Sequence, residues 1–170
     1  MTEVRRVAGR DAALVQGLRE LLQDCVDHGA SVGFLSPLDA AVADRYWDRI
    51  LGAAGQGALL LWVAEDAGRV VGSVQLEPCS KDNGKHRAEL QKLLVLSAHR
   101  GRGVGRALMD AAEGFAREAH RTLLVLDTEV GSVAESVYRS LGWSRAGEIP
   151  DYATTPAGKL HPTVYYYKRL

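Results

Sequence analysis

Between Arg100 and Arg106 the chain reads Arg-Gly-Arg-Gly-Val-Gly-Arg, and this is the stretch whose residue types and spacing could do most chemistry. Glycines let an anion approach the backbone closely. The start of a helix adds unpaired N–H groups and about half a positive charge, and guanidinium groups bind phosphate oxygens in pairs. A phosphate cradle is therefore expected here. From Lys81 to Arg106 seven lysines and arginines stand against two acids, a net of +5, in a chain whose 21 basic and 21 acidic residues otherwise cancel. The spacing is G-x-G-x-G: Arg106 occupies the place of the third glycine of a dinucleotide fingerprint, and no G-K-[ST] follows, so Rossmann and Walker A readings are disfavoured.

Other reactive side chains lie near the cradle in sequence. Glu89 is on a β-rich run leading into it, and alternation puts Glu89, Gln91, Leu93 and Val95 on one face. Taken alone, Glu89 also fits an exposed sheet carboxylate paired with Arg87 or Lys92. Asp127 ends the apolar run from Thr122 to Leu126, at the end of a buried strand where α/β sheets place ligand chemistry; a turn-forming aspartate is the other reading. Tyr138 falls on the apolar face of a helix, so its ring is expected to be packed. Glu129 suits a solvated face, and His99, beside Arg100, a solvated loop. Cys25 and Cys79 have no CxxC partner and no metal-ligand spacing; they read as small core hydrophobes, and no metal is expected. No nucleophile elbow or triad spacing appears.

The elements that must position these groups follow from periodicity. After Asp11 as N-cap, Leu14, Val15, Leu18, Leu21, Leu22, Cys25 and Val26 keep helical spacing until Gly29. A second helix is expected from Ser36 as cap, with Pro37 in its first turn, Asp39 completing a capping box, and Val42, Tyr46, Trp47 and Ile50 as its apolar stripe. Leu59–Ala64 and Val70–Leu76 flank a turn and read as a hairpin, followed by a third strand at Ala88–Leu96. Beyond the cradle, Val104, Leu108, Ala111, Phe115 and Ala119 mark the buried stripe of a long helix, and Thr122–Asp127 is a short buried strand. A helix capped by Ser132 and Glu135 buries Val133, Ala134, Val137, Tyr138 and Leu141 and stops at Gly142. Two strand-like pieces, near Trp143–Glu148 and His161–Lys168, flank a polar loop. The loop Ala30–Leu35 and the segment Asp151–Leu160 are expected to line the open side of a cleft.

This order implies an α/β single domain over residues 1–170, a mixed central sheet flanked by helices. At 170 residues and 46% hydrophobic, the chain can bury a core without disulfide or metal staples. Its zero net charge argues against bulk binding of nucleic acid or anionic lipid. Met1–Asp11 lacks the apolar region of a secretory signal, and the longest apolar run, Ala58–Ala64, is far short of a membrane span of ~20 residues. A soluble cytoplasmic protein, monomer or homodimer, with neither nucleic acid nor membrane as partner, is expected.

Arg100-x-x-Gly103-x-Gly105 resembles the Q/R-x-x-G-x-G/A pyrophosphate loop of the GNAT superfamily of N-acetyltransferases, at the place between strand and helix where that family carries it. Within the superfamily the chain is most similar to the tabtoxin-resistance acetyltransferases, through AELQKL (88–93), GRGVGRALM (101–109), LDTEVGSVAESVY (126–138) and LHPT (160–163). The resemblance implies a GNAT-like fold with a splayed cleft for acetyl-CoA, the acetyl donor. It implies that Arg100, Gly101, Arg102, Gly103, Val104, Gly105 and Arg106 hold the pyrophosphate and that the backbone of Leu93, Leu94 and Val95 holds the pantetheine arm. Many members carry an Asn three residues before the alanine of the following helix; here Gly131 precedes Ala134, and Ser132 offers a hydroxyl nearby. By the same resemblance Glu89 is the leading general base, Asp127 orients or deprotonates the acceptor, and Tyr138 protonates the departing thiolate. The implied activity is direct acetyl transfer to a small-molecule amine, such as an amino-acid-like toxin or antibiotic. Acetylation of protein lysines or N-termini, and a non-catalytic acyl-CoA sensor, are the alternatives.

Overall fold

The β-rich runs assemble into one mixed sheet in a computed structural model, which describes residues 2–170. The elements are β1 (Glu3–Arg6), α1 (Ala12–Asp27), α2 (Ala40–Gly55), β2 (Leu60–Asp66), β3 (Arg69–Pro78), β4 (Arg87–Val95), α3 (Val104–Glu118), β5 (Leu123–Glu129), α4 (Val133–Ser140), β6 (Ser144–Thr154) and β7 (Leu160–Arg169). Strand order is β1-β2-β3-β4-β5-β7-β6, and only β4 and β5 run parallel, because α3 carries the chain back between them. Both α1 and α3 pack on β3 and β4. β3 is accordingly buried along nearly its whole length, as a strand covered on both faces must be.

Several sequence expectations shift. β1 was not foreseen: Glu-Val-Arg-Arg offers one apolar residue, and its strand conformation comes from pairing with β2. The cap of α2 is Asp39, whose carboxylate accepts from the N–H groups of Ala41 and Val42; Ser36 instead donates to Asp27. The buried stripe of α3 is Val104, Leu108, Met109, Ala112, Glu113 and Ala116, with Ala119 exposed beyond the last turn. In α4, Val133 is 73% exposed, because the first turn projects over the cleft and not into the core. β6 runs on to Thr154, through part of the expected polar loop, because it pairs with β7 as far as Thr154↔Leu160. Cys25 is buried and Cys79 partly buried, both as free thiols.

One buried charge ties the cradle helix to the far end of the sheet. Glu113, 3% exposed, accepts from Trp143 Nε1 at 3.1 Å and from Lys168 Nζ at 2.7 Å, while Lys168 also donates to the Leu141 carbonyl at 2.9 Å. A charge on the apolar stripe of α3 is tolerated because it is paired in this way. Removing it leaves the indole N–H without its acceptor and the ammonium without its counter-charge, with only the Leu141 carbonyl as partner. Glu113→Ala should therefore lower unfolding free energy by about 3 kcal/mol, the lower end of ~3–5 for a broken buried pair since Lys168 keeps some solvent. Urea denaturation giving a loss under about 1 kcal/mol would show that the network does not hold α3.

Candidate active site

The site begins where two strands part. β4 and β5 pair at Arg87↔Leu123, Ala88↔Leu124 and Glu89↔Val125 and no further, although both strands continue. On its other side β4 is bulged: Ser73 pairs with Leu94 and Gln75 with Gln91, so one intervening residue of β3 opposes two of β4, Lys92 and Leu93. Lys92 takes the left-handed conformation, φ +52°, which costs a non-glycine residue about 1–3 kcal/mol. The bulge interrupts the simple alternation expected along Glu89, Gln91, Leu93 and Val95. The gap opens into a cleft of about 940 Å³.

The cradle forms one wall. Gly101 and Gly103 have φ of +73° and +81°, values open to glycine and strained for other residues, and Gly103 is the N-cap of α3. That cap supplies no side-chain acceptor, whereas Asp11, Asp39 and Ser132 each cap their own helix. The first N–H groups of α3 are thus left for a ligand. Arg100, Gly101, Gly103, Val104, Gly105 and Arg106 line the cleft together with Leu93, Leu94 and Val95; Arg102 alone of the loop does not. Behind the loop, Asp24 of α1 accepts from Ser97 N at 2.7 Å and Ser97 Oγ at 2.8 Å, fixing the turn that precedes the glycines. The sequence gives no signal for this anchor, since the partners are 73 residues apart.

The carboxylates form the floor. Glu89 is directly opposite Val125, and Asp127 lies two residues on along β5, so both point to the same face of the sheet. Partial removal from water raises the Glu89 pKa, and the charges of Asp127 and Glu77 add to the rise; Gln91 and Lys92 oppose it. Asp127 accepts from Thr163 Oγ1 at 2.8 Å, which fixes its orientation. Glu89 makes no ion pair with Arg87 or Lys92 among the described residues.

Tyr138 is buried against Trp143, ring centroids 6.1 Å apart, and borders the cleft. Its hydroxyl has no hydrogen-bond partner among the described residues, and burial, with a contribution from the Asp127 charge, raises its pKa, so it remains a donor at neutral pH. Ser132 also lines the cleft, but its hydroxyl is engaged as the α4 cap, accepting from Glu135 N at 3.1 Å and meeting Thr128 Oγ1 at 3.3 Å. Glu135, expected to close a capping box, accepts instead from Gly131 N and Tyr166 Oη.

The loop Ala30–Leu35 lines the cleft through Ala30, Ser31, Val32 and Gly33, as its sequence position implies, and some other lining residues carry no sequence signal. Lys92 enters the cleft at the bulge; desolvation lowers its pKa and the Arg49 charge adds to this, against the attraction of Asp127 and Glu89. Ser31 Oγ lies 3.0 Å from His161 Nε2, while His161 Nδ1 is 2.9 Å from the Pro162 carbonyl, to which it donates. Ser36 N donates to Pro156 O at 3.0 Å, and the two bonds lace the α1–α2 loop to the β6–β7 side. His99 is not a solvated loop residue: it is largely enclosed, its Nε2 is 3.8 Å from Asp66, and its buried Nδ1 has no partner among the described residues. Glu129 likewise lines the cleft, 3.9 Å from His161. For Cys25, also on the wall, burial pushes the thiol up to about 11, which disfavours the thiolate a nucleophile needs. Among the described residues no three His, Cys, Asp or Glu side chains come together to hold a metal, and no helix is long and apolar enough to cross a membrane.

Comparison with known proteins agrees with this geometry. N-acetyltransferase 8 of Rattus norvegicus is 37% identical over 91 residues, 51% of this chain and 40% of that protein, so the chain spans about two fifths of this curated relative. Among solved structures, ribosomal-protein-alanine N-acetyltransferase from Brucella melitensis superposes with a TM-score of 0.82 at 24% identity, covering 99% of both chains. A phosphinothricin acetyltransferase from Sinorhizobium meliloti, solved in complex with acetyl-CoA, gives 0.81 at 19% identity over 99% of this chain and 88% of that one. These likenesses establish the fold. The pattern of the acetyltransferase (GNAT) family matches residues 16–143, through Glu89, the cradle, Asp127 and Tyr138, and the chain belongs to that family.

Proposed function

We propose that this cleft moves an acetyl group from acetyl-CoA to the amine of a small, amino-acid-like molecule, directly and within a ternary complex. One observation carries the reading: an uncapped helix N-terminus in a glycine–arginine loop opens into the same cleft as a carboxylate of raised pKa and a tyrosine with a free hydroxyl. The loop and the flanking arginines fit a pyrophosphate, which they would hold through backbone N–H groups and guanidinium charge. The edge of β4 from Leu93 to Val95, which has no β5 partner, fits the pantetheine arm, and one of its N–H groups would polarise the thioester carbonyl. The neighbour solved with acetyl-CoA supports this choice of donor.

The chemistry then follows from the positions. The acceptor amine must lose a proton as its nitrogen bonds to the carbonyl carbon; Glu89 takes it, directly or through water, and its raised pKa makes it the better base. Asp127, fixed by Thr163, orients the amine. As the C–S bond breaks, Tyr138 donates its proton to the sulfur. Holding both reactants in place can supply roughly 7–11 kcal/mol of the barrier, so no covalent intermediate is required.

A small acceptor is supported by the lacing of the α1–α2 loop to the β6–β7 side through Ser31–His161 and Ser36–Pro156, which narrows the opening for a peptide chain. The four sequence stretches similar to tabtoxin-resistance enzymes, and the phosphinothricin acetyltransferase among the structural neighbours, support a toxin or antibiotic as acceptor. The two free thiols fit a reducing compartment, and we place the enzyme in the cytoplasm.

Two mutants test the roles. A base must be ionised to act, so kcat/KM should fall with decreasing pH through an inflection above the 4.5 of an ordinary glutamate; Glu89→Gln should remove that limb and lower kcat by about 10²–10⁴. An unaltered profile would leave Glu89 structural. Tyr138→Phe keeps the packed ring, so Tm should stay near wild type while turnover falls by about 10²–10⁴ and recovers with an acyl donor whose thiol leaves more easily. A fully active Tyr138→Phe would remove the acid assignment.

A further inference from the structure

A second cavity, about 190 Å³, adjoins the acceptor side of the cleft, and Gln91 and Lys92 line both. Its remaining wall includes Tyr46 and Arg49 of α2 and Glu77 of β3. Two cations therefore share a small concavity three strand positions from the proposed base; Glu77 lines it too, and Asp127 and Glu89 attract Lys92 from a distance, but no carboxylate among the described residues closes an ion pair with either cation. On α2, Asp44 is paired with Arg19 and Asp48 with Arg10. Glu77 accepts from Gln91 Nε2 at 2.9 Å, and Asp127 is bonded to Thr163. Neither Arg49 nor Lys92 is in an ion pair among the described residues.

Both side chains are also positioned. The Arg49 guanidinium lies over the Tyr46 ring, 5.3 Å from its centroid. That ring is set by a 2.8 Å hydrogen bond from Gln75 Nε2 to its hydroxyl and by the edge of Phe34, centroids 5.2 Å apart. Lys92 is turned by the left-handed bulge beneath the α1–α2 loop, where a Cβ on Gly33 would lie only 3.7 Å from its Nζ. Like charges held near each other repel, and an oxyanion between them relieves the repulsion.

We infer that Arg49 and Lys92 form a carboxylate-binding subsite for the acceptor, so that the substrates are amines carrying a free carboxylate, their amine at Glu89 and their carboxylate in the second cavity. Three strand residues span at most about 10 Å, which a small amino acid bridges when its ~3–4 Å from amine to carboxylate is extended by a hydrogen bond of about 3 Å at each end. The inference rests on the small-amine acetyl transfer proposed above and adds to it the class of acceptor and the residues that select it. Arg49 touches the substrate's carboxylate and not the reacting atoms, so its loss should appear in KM and leave kcat nearly intact.

The test follows CoA release with the twenty protein amino acids and their carboxamides as acceptors, for wild type, Arg49→Gln and Arg49→Lys. For the best acid, Arg49→Gln should raise KM by about 10- to 100-fold, the value of a hydrogen bond to a charged group, with kcat and the KM for acetyl-CoA within about threefold. For the matching carboxamide the same change should alter KM by less than threefold, and comparing variant with wild type on each acceptor cancels the different basicity of the two amines. Arg49→Lys should recover part of the loss. If Arg49→Gln weakens acid and amide alike, or neither, the subsite is overturned while acetyl transfer to small amines stands. If no acid and no amide releases CoA, the small-amine reading fails and the subsite with it.

Discussion

The site depends on one constraint: β4 and β5 are parallel neighbours that pair over three residues and then separate. Parallel strands need a crossover, and the crossover here is α3, so the helix that joins the two strands starts at the mouth of the gap between them. The unpaired edge of β4 is a consequence of this divergence, and the start of α3, left without a side-chain cap by Gly103, faces the same gap. Each leaves backbone groups without protein partners, a state that is costly unless water or a ligand satisfies them. A cleft walled by such groups is built for an extended polar molecule.

The remaining structure holds the gap open and aims side chains into it. α1 fixes the turn before the cradle through Asp24, and the buried Glu113 network fixes the far end of α3 to β7. The bulge at Lys92 turns a cation toward the acceptor side, while the undisturbed register at Glu89 keeps a carboxylate on the floor beside Asp127. In the proposed reaction, successive residues of one strand serve donor and acceptor: the backbone from Leu93 onward the thioester, the side chains from Glu89 to Lys92 the amine. Partial burial, joined by the like charge of Asp127, raises the pKa of Glu89, and burial raises that of Tyr138.

Much of this was legible in the chain because it is local. Helical spacing after Asp11, the Ser132 cap, and the glycine turn between strand and helix are short-range patterns, and the structure shows each where the sequence put it. What was missed depends on distant partners. The strand Glu3–Arg6 exists through β2, and Ser36 lost the α2 cap to Asp39. The bulge at Lys92 arises from mismatched register with β3, so no periodicity within β4 announces it. Arg49 joins the second cavity through the packing of α2, far in sequence from the cradle motif, whereas Ser31 lines the cleft within the loop Ala30–Leu35, where the sequence places the open side.

The central claim is that the divergence of β4 and β5 makes an acetyl-CoA site with its pyrophosphate at the start of α3, and Gly103 is where that claim is most exposed. Its φ of +81° and its position at the helix N-terminus favour a residue with no side chain and no negative charge. Calorimetric titration of acetyl-CoA into wild type and Gly103→Asp measures the point directly. The account predicts affinity reduced about tenfold or more in the variant, with the fold retained by circular dichroism. Equal affinity for the two proteins would contradict it.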